Sequence, residues 1–351
     1  MADRNWISTV LICIAMLVCT TPVAHSQENA LLVKLTDNIY ARIVNPDGNA
    51  VGNSGFILLE HGVLVFDTHF TPEAGHQLLE DIRSITSKPI RYIVNSHYHP
   101  DHTHGNQAFP DAHVISNVGT RKDILQKDLP SLNRTMDVTA SQLDRMNEIA
   151  SKEEDPSRLE RLQQQIRSQQ DYLATLSQLK ITAPFVILED YMSIQDGLTE
   201  VRIQFLGPGH TDTDTILLLP EEKIVFCGDL FFKDAIPNIQ DADILKWMDT
   251  LRRILELDAD RFVPGHGIVG NRRDLERFLN YFEELRFLVE PYVLRGDSVE
   301  RAIREIGVPE AYSRYRFINF FRANIQKMYA ELKMLQFLSI PIEGPKLPAG
   351  R

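Results

Sequence analysis

The sequence is short of cysteine, carries no surplus of positive charge and has no apolar run long enough to span a membrane as a helix. Its three cysteines are Cys13, Cys19 and Cys227, the first two inside an apolar N-terminal stretch. Once that stretch is removed a single thiol remains, so an intramolecular disulfide is excluded. Lys and Arg total 37 against 48 Asp and Glu, a formal net charge of −11. Binding to a phosphate backbone is driven by basic neutralisation, so no nucleic-acid partner is expected. The apolar stretch ISTVLICIAMLVCT falls short of the roughly 20 residues that cross a bilayer. Arg4 precedes it, and Ala24 and Ser26 follow at small-residue positions, which reads as a signal peptide over residues 1–26. Cys19 follows Val18 rather than a small residue, so lipidation is not expected. The expectation is a periplasmic or secreted protein with no stable membrane insertion after cleavage.

What is present is a globular composition, with 43% hydrophobic and 24% charged residues. Residues 30–70 alternate apolar and polar positions, with turns at Pro46-Asp47-Gly48 and His61-Gly62, the pattern of short antiparallel strands. Thr71-Pro72-Glu73 reads as the cap and first turn of a helix through about Ile85. IRYIVNSH is then a buried strand entering a polar loop. From about 118 to 180 the chain turns rich in Gln, Glu, Lys and Arg, with Leu159, Leu162, Ile166, Leu173 and Leu176 at 3/4 spacing and a turn near Asp155-Pro156. That is a helical hairpin insertion with a solvated outer face. Strand patterns resume at PFVILED, EVRIQFLGPGH, TILLLP and KIVFCGDL. An amphipathic helix follows over Ile244, Trp247, Met248, Leu251, Ile254 and Leu255, and then the strand RFVPGHG. Residues 271–337 read as helical, with Phe278, Phe282, Phe317, Phe320 and Phe321 as core. Two sheets face to face with helices outside would bring the polar strand ends to one edge.

Asn95-Ser96-His97-Tyr98-His99-Pro100-Asp101-His102 places three imidazoles and a carboxylate within six residues. Imidazole nitrogen and carboxylate oxygen suit zinc or another borderline first-row metal. In an extended loop alternate residues share a side, so His97 and His99 can share one ion while Asp101 and His102 face a second. Three further strand ends carry compatible groups: His210 in GPGHT, Asp229 in FCGDL and His266 in VPGHG.

His97-x-His99-x-Asp101-His102 followed in order by His210, Asp229 and His266 resembles the metallo-β-lactamase superfamily, over about residues 31–280. The resemblance implies an α+β chain folded as an αβ/βα four-layer sandwich over residues 27–280, and residues 281–351 then form a helical C-terminal extension. It also implies two Zn²⁺, with Fe or Mn as alternatives. His97, His99 and His210 would hold one ion, Asp101, His102 and His266 the other, and Asp229 would bridge them. Asp67, ending GVLVFD, matches the family's buried aspartate that props the ligand loop, with a turn aspartate as the alternative. His104 stands where relatives commonly have Gly; it could be a donor to a ligand, but a solvent-exposed side chain is expected.

Asp229 at the bridging position resembles the glyoxalase II type rather than carbapenem hydrolases, which use Cys there. Pro237–Asp243, however, resembles a loop of those β-lactamases and of the exported quinoprotein relay system metallohydrolases. By that likeness Lys233 and Asn238 are candidate substrate-binding residues, against a solvated Lys and a turn-forming Asn. The implied activity is attack by metal-bound hydroxide on a small ester, lactone, thioester or β-lactam, with Asp101 orienting the hydroxide and relaying a proton. The alternatives are iron-dependent sulfur oxidation and a non-catalytic periplasmic metal-binding or quinoprotein-partner module. The expected partner is a small-molecule substrate; the oligomeric state is not read from the sequence.

Overall fold

The computed structural model describes residues 30–45 and 48–338. The expected signal peptide over residues 1–26, Pro46 and Asp47 of the first expected turn, and residues 339–351 of the expected C-terminal extension lie outside the described residues.

The first sheet holds β1 (Leu31–Lys34), β2 (Ile39–Ile43), β3 (Ser54–Leu58), β4 (Val63–Phe66), β5 (Ile90–Val94), β6 (His113–Asn117) and β7 (Val186–Leu188), paired in sequence order. β1 to β4 run antiparallel. β4 to β7 are parallel because longer connections intervene. The first connection is α1 (Pro72–Ile85), which begins as the sequence indicates: Thr71 Oγ1 accepts from the Ala74 N–H at 3.1 Å, and Pro72 occupies the first turn. Its buried Leu78 and Ile82 pack with Phe56, Val65 and Ile93 on the outer face of the sheet.

The ligand loop is not extended throughout. Pro100 opens the short helix α2 (Pro100–Thr103), so Asp101 and His102 leave from a helical turn while His99 keeps extended backbone. After β6 come α3 (Val118–Asp123), a π-helical turn over Ile124–Asp128, and the hairpin of α4 (Leu129–Ser151) and α5 (Pro156–Gln178). Asp155 caps α5 through the Ser157 and Arg158 N–H groups. Ile166 and Leu176 of the expected stripe are buried, and Leu159, Leu162 and Leu173 are half-buried.

The second sheet has the order β13-β12-β11-β10-β9-β8, built from β8 (Tyr191–Asp196), β9 (Thr199–Phe205), β10 (Thr215–Leu219), β11 (Ile224–Phe232), β12 (Arg261–His266) and β13 (Gly270–Asn271). α6 (Ile244–Glu256) connects β11 to its parallel neighbour β12. Ile57, Leu64, Leu217 and Phe226 belong to the core between the sheets. Outside the second sheet lie α6, α7 (Arg272–Arg295) and, after α8 (Val299–Glu305), α9 (Phe321–Phe337). Trp247, Phe278, Phe282 and Phe321 are buried there, as expected. The C-terminal part is not continuously helical, however. Gly307 and Pro309 follow α8, and residues 306–320 carry only short 3-10 turns before α9.

Candidate metal centre

Residues from five strands meet at one edge of the sandwich. β4 ends in Asp67, fully buried with φ 54°. Its Oδ1 accepts the Ser96 N–H at 2.7 Å, and its Oδ2 accepts Ser96 Oγ and His102 Nδ1, each at 2.8 Å. This is the propping aspartate of the resemblance rather than a simple turn. β11 bends before Asp229: Gly228 has φ 53°, and any side chain there would collide with Ser96. A Cβ on Gly265 would in turn meet Asp229 itself, so the glycines let this carboxylate enter the cluster.

Two ligand groups result, His97, His99, His210 and Asp229 in one and Asp101, His102 and His266 in the other, the ligand atoms of each lying within 4.8 Å of one another. In the first, His99 Nδ1 is 2.9 Å from both His97 Nε2 and His210 Nε2. In the second, Asp101 Oδ2 lies 3.4 Å from the Nε2 atoms of His102 and His266. Asp229 faces both: Oδ2 is 3.2 Å from His210 Nε2 and 4.0 Å from His97 Nε2, while Oδ1 is 3.1 Å from His102 Nε2 and 3.4 Å from His266 Nε2.

The donor chemistry fits a cation. Asp241 Oδ2 lies 3.0 Å from His99 Nε2 and accepts the Tyr98 hydroxyl at 2.6 Å. A carboxylate at this distance places the His99 proton on Nε2 and leaves Nδ1 as a bare lone pair. Ser96 Oγ donates to Asp67 and so takes the Nδ1 proton of His97 at 2.9 Å, leaving His97 Nε2 bare as well. Lone pairs pointed at one another in a buried site repel unless a positive ion lies between them. Ligands in a tetrahedral zinc shell are about 3.3 Å apart, close to these spacings. His102 Nε2 and Asp229 Oδ1 are also buried without a hydrogen bond, the state expected of groups that await a metal.

Burial pushes His97 well below the usual imidazole range, helped by the neighbouring His102 and His99, and takes His210 to about 3. The second group is arranged oppositely. Burial works against charge on His102 and His266, yet carboxylates outweigh it: Asp101, Asp229 and Asp67 raise His102 well above its usual value, and Asp229 and Asp101 bring His266 to about 9. Burial likewise opposes ionisation of Asp101 and Asp229, but the imidazoles around them hold both well below the ordinary carboxylate range.

Several supporting residues carried no signal of this role in the sequence. Asn53 donates to the carbonyls of Pro264 at 2.9 Å and Gly267 at 2.8 Å, fastening the His266 loop. Asp214 accepts from the Thr211 N–H and hydroxyl, fixing the turn after His210. Asp241 lies within the quoted 237–243 stretch, but its contact with His99 spans 142 residues.

Two expectations are corrected. His104 is not solvent-exposed: it is 6% exposed, its Nε2 is 3.1 Å from Asp128 Oδ2, and its ring stacks on Phe70 at 5.9 Å. The π-helical turn brings Asp128 to it. Lys233 is neither solvated nor free to meet an anion, because its ammonium is paired with Asp274 Oδ2 at 2.8 Å and its side chain is 14% exposed. Asn238 Oδ1 accepts the Gln240 N–H at 3.2 Å, which is the turn-forming role.

A family model described as the metallo-beta-lactamase superfamily matches residues 47–137 and 141–266. The chain belongs to this superfamily. It is similar to the linear primary-alkylsulfatase of Pseudomonas sp. (strain ATCC 19151), 20% identical over 270 residues that cover 72% of this chain and 49% of the relative. A hydroxyacylglutathione hydrolase of Francisella tularensis subsp. tularensis is 34% identical over 86 residues, 24% of this chain and 34% of that protein. The chain thus spans half or less of the length of these relatives. Among solved structures, a metallo-beta-lactamase from Pontibacter korlensis aligns with TM-score 0.53 and 18% identity, covering 73% of this chain and 99% of that one. The mono-zinc form of FIM-1 from Pseudomonas aeruginosa aligns with TM-score 0.53 and 17% identity, covering 73% and 95%. These two establish likeness of fold.

Proposed function

We propose that this chain is an exported hydrolase of small carbonyl esters, with thioesters, lactones and β-lactams in the same reaction class, and that it works with two zinc ions. The observation that carries this reading is the pair of ligand groups sharing Asp229, whose two oxygens face opposite ways. Zinc held by these residues would supply Lewis acidity and a water acidified to near neutral pH. The protein's own part is orientation and proton handling. His97 and His210 present neutral nitrogens, and the three imidazoles of this group are fixed by Ser96, by Asp241 and by the turn that Asp214 ties. Asp101, with its side chain 18% exposed at the edge of the cluster, is an ionised carboxylate able to take a proton from attacking water and return it to the leaving group. Cys227, the sole described cysteine, is buried and free, so covalent thiol catalysis has no accessible nucleophile. Export rests on the signal-like composition of residues 1–26.

A second reading, hydrolysis of alkyl sulfate esters, is favoured by the match to the alkylsulfatase over most of this chain. Its leaving alcohol would need the same proton from Asp101. The deciding experiment assays p-nitrophenyl acetate, an S-acyl thioester, a lactone, a cephalosporin and dodecyl sulfate on protein of measured metal content. Carbonyl-ester or thioester turnover that is abolished by chelation supports the first reading. Turnover of dodecyl sulfate alone replaces it with the second, and oxygen consumption on sulfur compounds by an iron-loaded protein overturns both.

A further inference from the structure

His266 lies between two phenyl rings. Phe232, at the end of β11, stacks on its imidazole at 4.9 Å with planes 22° apart. Phe317 meets it edge-on, at 6.1 Å and 89°. Phe317 belongs to neither sheet; it comes from the non-helical link between α8 and α9. Two backbone hydrogen bonds pin that link beside the cluster. The Arg316 N–H donates to Asp234 O at 3.0 Å, and the Ile236 N–H donates to Arg316 O at 2.9 Å. They form a parallel bridge to residues directly following the strand that carries Asp229.

Phe317 itself has φ 58°, a conformation that is unfavourable for a bulky side chain and persists only where surroundings over-determine it. Phe320 backs its ring at 6.1 Å, yet Phe317 remains half-buried. Ile318 beside it is 43% exposed, and Ile268, two residues beyond His266, is 58% exposed. The opposite flank of the cluster is polar. There Tyr98 donates to Asp241 beside His99, and Lys127 lies 4.9 Å over the Tyr98 ring. Hydrocarbon thus borders the cluster on the His266 side and polar groups border it on the His99 side.

We propose that Phe317, with Ile268 and Ile318 at its margin, is an apolar wall that receives the hydrocarbon chain of the substrate and selects medium-length alkyl or acyl chains over acetyl-sized ones. The inference rests on the hydrolase reading for the reaction, while the wall itself is measurable by binding alone. Straight-chain carboxylates from butanoate to decanoate are titrated calorimetrically into metal-loaded wild type, Phe317→Leu, Phe317→Ala and Ile268→Ser, with metal content and Tm recorded for each. In wild type the Kd is expected to fall about two- to threefold per methylene, somewhat less than full burial of each CH₂ would give. Phe317→Ala should flatten that dependence, weakening decanoate most and butanoate least with metal content retained, and Phe317→Leu should keep most of it. Ile268→Ser, at a mostly exposed position, should weaken the dependence and keeps the test decisive if Phe317→Ala does not fold. A flat dependence in wild type overturns the proposal. So does an equal loss at every chain length with metal lost, which would assign Phe317 to holding His266. A steep dependence without ester turnover would sink the hydrolase reading and leave the wall standing; turnover of short esters with a flat dependence would do the reverse.

Discussion

Three imidazoles crowd one point in the first ligand group, whereas the second sets two imidazoles against Asp101 and the shared Asp229. Burial keeps His97 and His210 neutral, so these two ligands offer lone pairs with no proton to displace. Carboxylates keep His102 and His266 charged in the metal-free protein, so a metal must expel protons to enter the second group. The two ligand groups should thus differ in the cost of loading, because one is surrounded by imidazole and the other by carboxylate. The first should fill first and hold its ion to lower pH.

Removing the shared residue breaks the comparison most completely. Asp229→Ala takes the carboxylate from both groups and leaves His102 and His266 with Asp101 as their remaining carboxylate in the cluster. Metal content should fall to one equivalent or less and turnover should become undetectable, while circular dichroism keeps its native form. Two retained equivalents would show that the groups do not depend on a common anion.

The next largest effect is on pH. In the metal-free protein His266 titrates at about 9 against 6.5 for an unperturbed imidazole. The stability contributed by its charge is therefore complete below pH 6.5 and lost as pH rises through about 9. Metal binding at the second group has the opposite sign, strengthening about tenfold per pH unit across that window for each proton displaced. The first group should change much less. Zinc titrations between pH 6 and 9 that give two equally pH-dependent steps would remove the distinction.

The supports bear unequally on the two groups. Asp67 holds His102, and Asp241 holds His99. Asp67→Asn should weaken the second metal by about 10- to 100-fold and the first by less, because Ser96 links Asp67 to His97, whereas Asp241→Asn should weaken the first and spare the second. Asn tolerates the left-handed backbone of position 67, so loss of the fold is not the expected outcome there. Competition with a chromophoric chelator reads each step, and the same step weakened most by both variants would mean that the groups are not separately supported.

The ligands themselves were legible because His97 to His102 are neighbours in the chain and the others follow apolar strand patterns that end in Gly-His or Gly-Asp. The sheets were legible for a similar reason, since alternation reports which face of a strand is buried. Of the supports, Asp67 alone was legible, through the resemblance. Lys233 finds Asp274 across 41 residues, and His104 finds Asp128 through a π-helical turn that has no periodic signature. Such pairings exist only after the sheets and helices have packed. The break at 306–320 was hidden by its apolar residues: Tyr312, Tyr315, Phe317 and Phe320 pack against the same core as the helices around them.

Cys227 marks the smallest expected effect and the boundary of both groups, for it lies two residues before Asp229 and joins neither. Its side chain is fully buried in the core outside the second sheet, with Trp247 and Phe282 among the residues of that cluster. The bend at Gly228 then lets Asp229 emerge at the ligand edge. Burial pushes the thiol pKa far up, so almost no thiolate forms at neutral pH. Iodoacetamide should leave the native protein unlabelled and react only after unfolding. Cys227→Ala removes one buried sulfur and should lower stability by about 1 kcal/mol. Metal content should stay the same and kcat/KM should remain within about twofold of wild type. A variant that lost one metal equivalent while keeping its Tm would place sulfur in the cluster and move the shared position from Asp229 to Cys227.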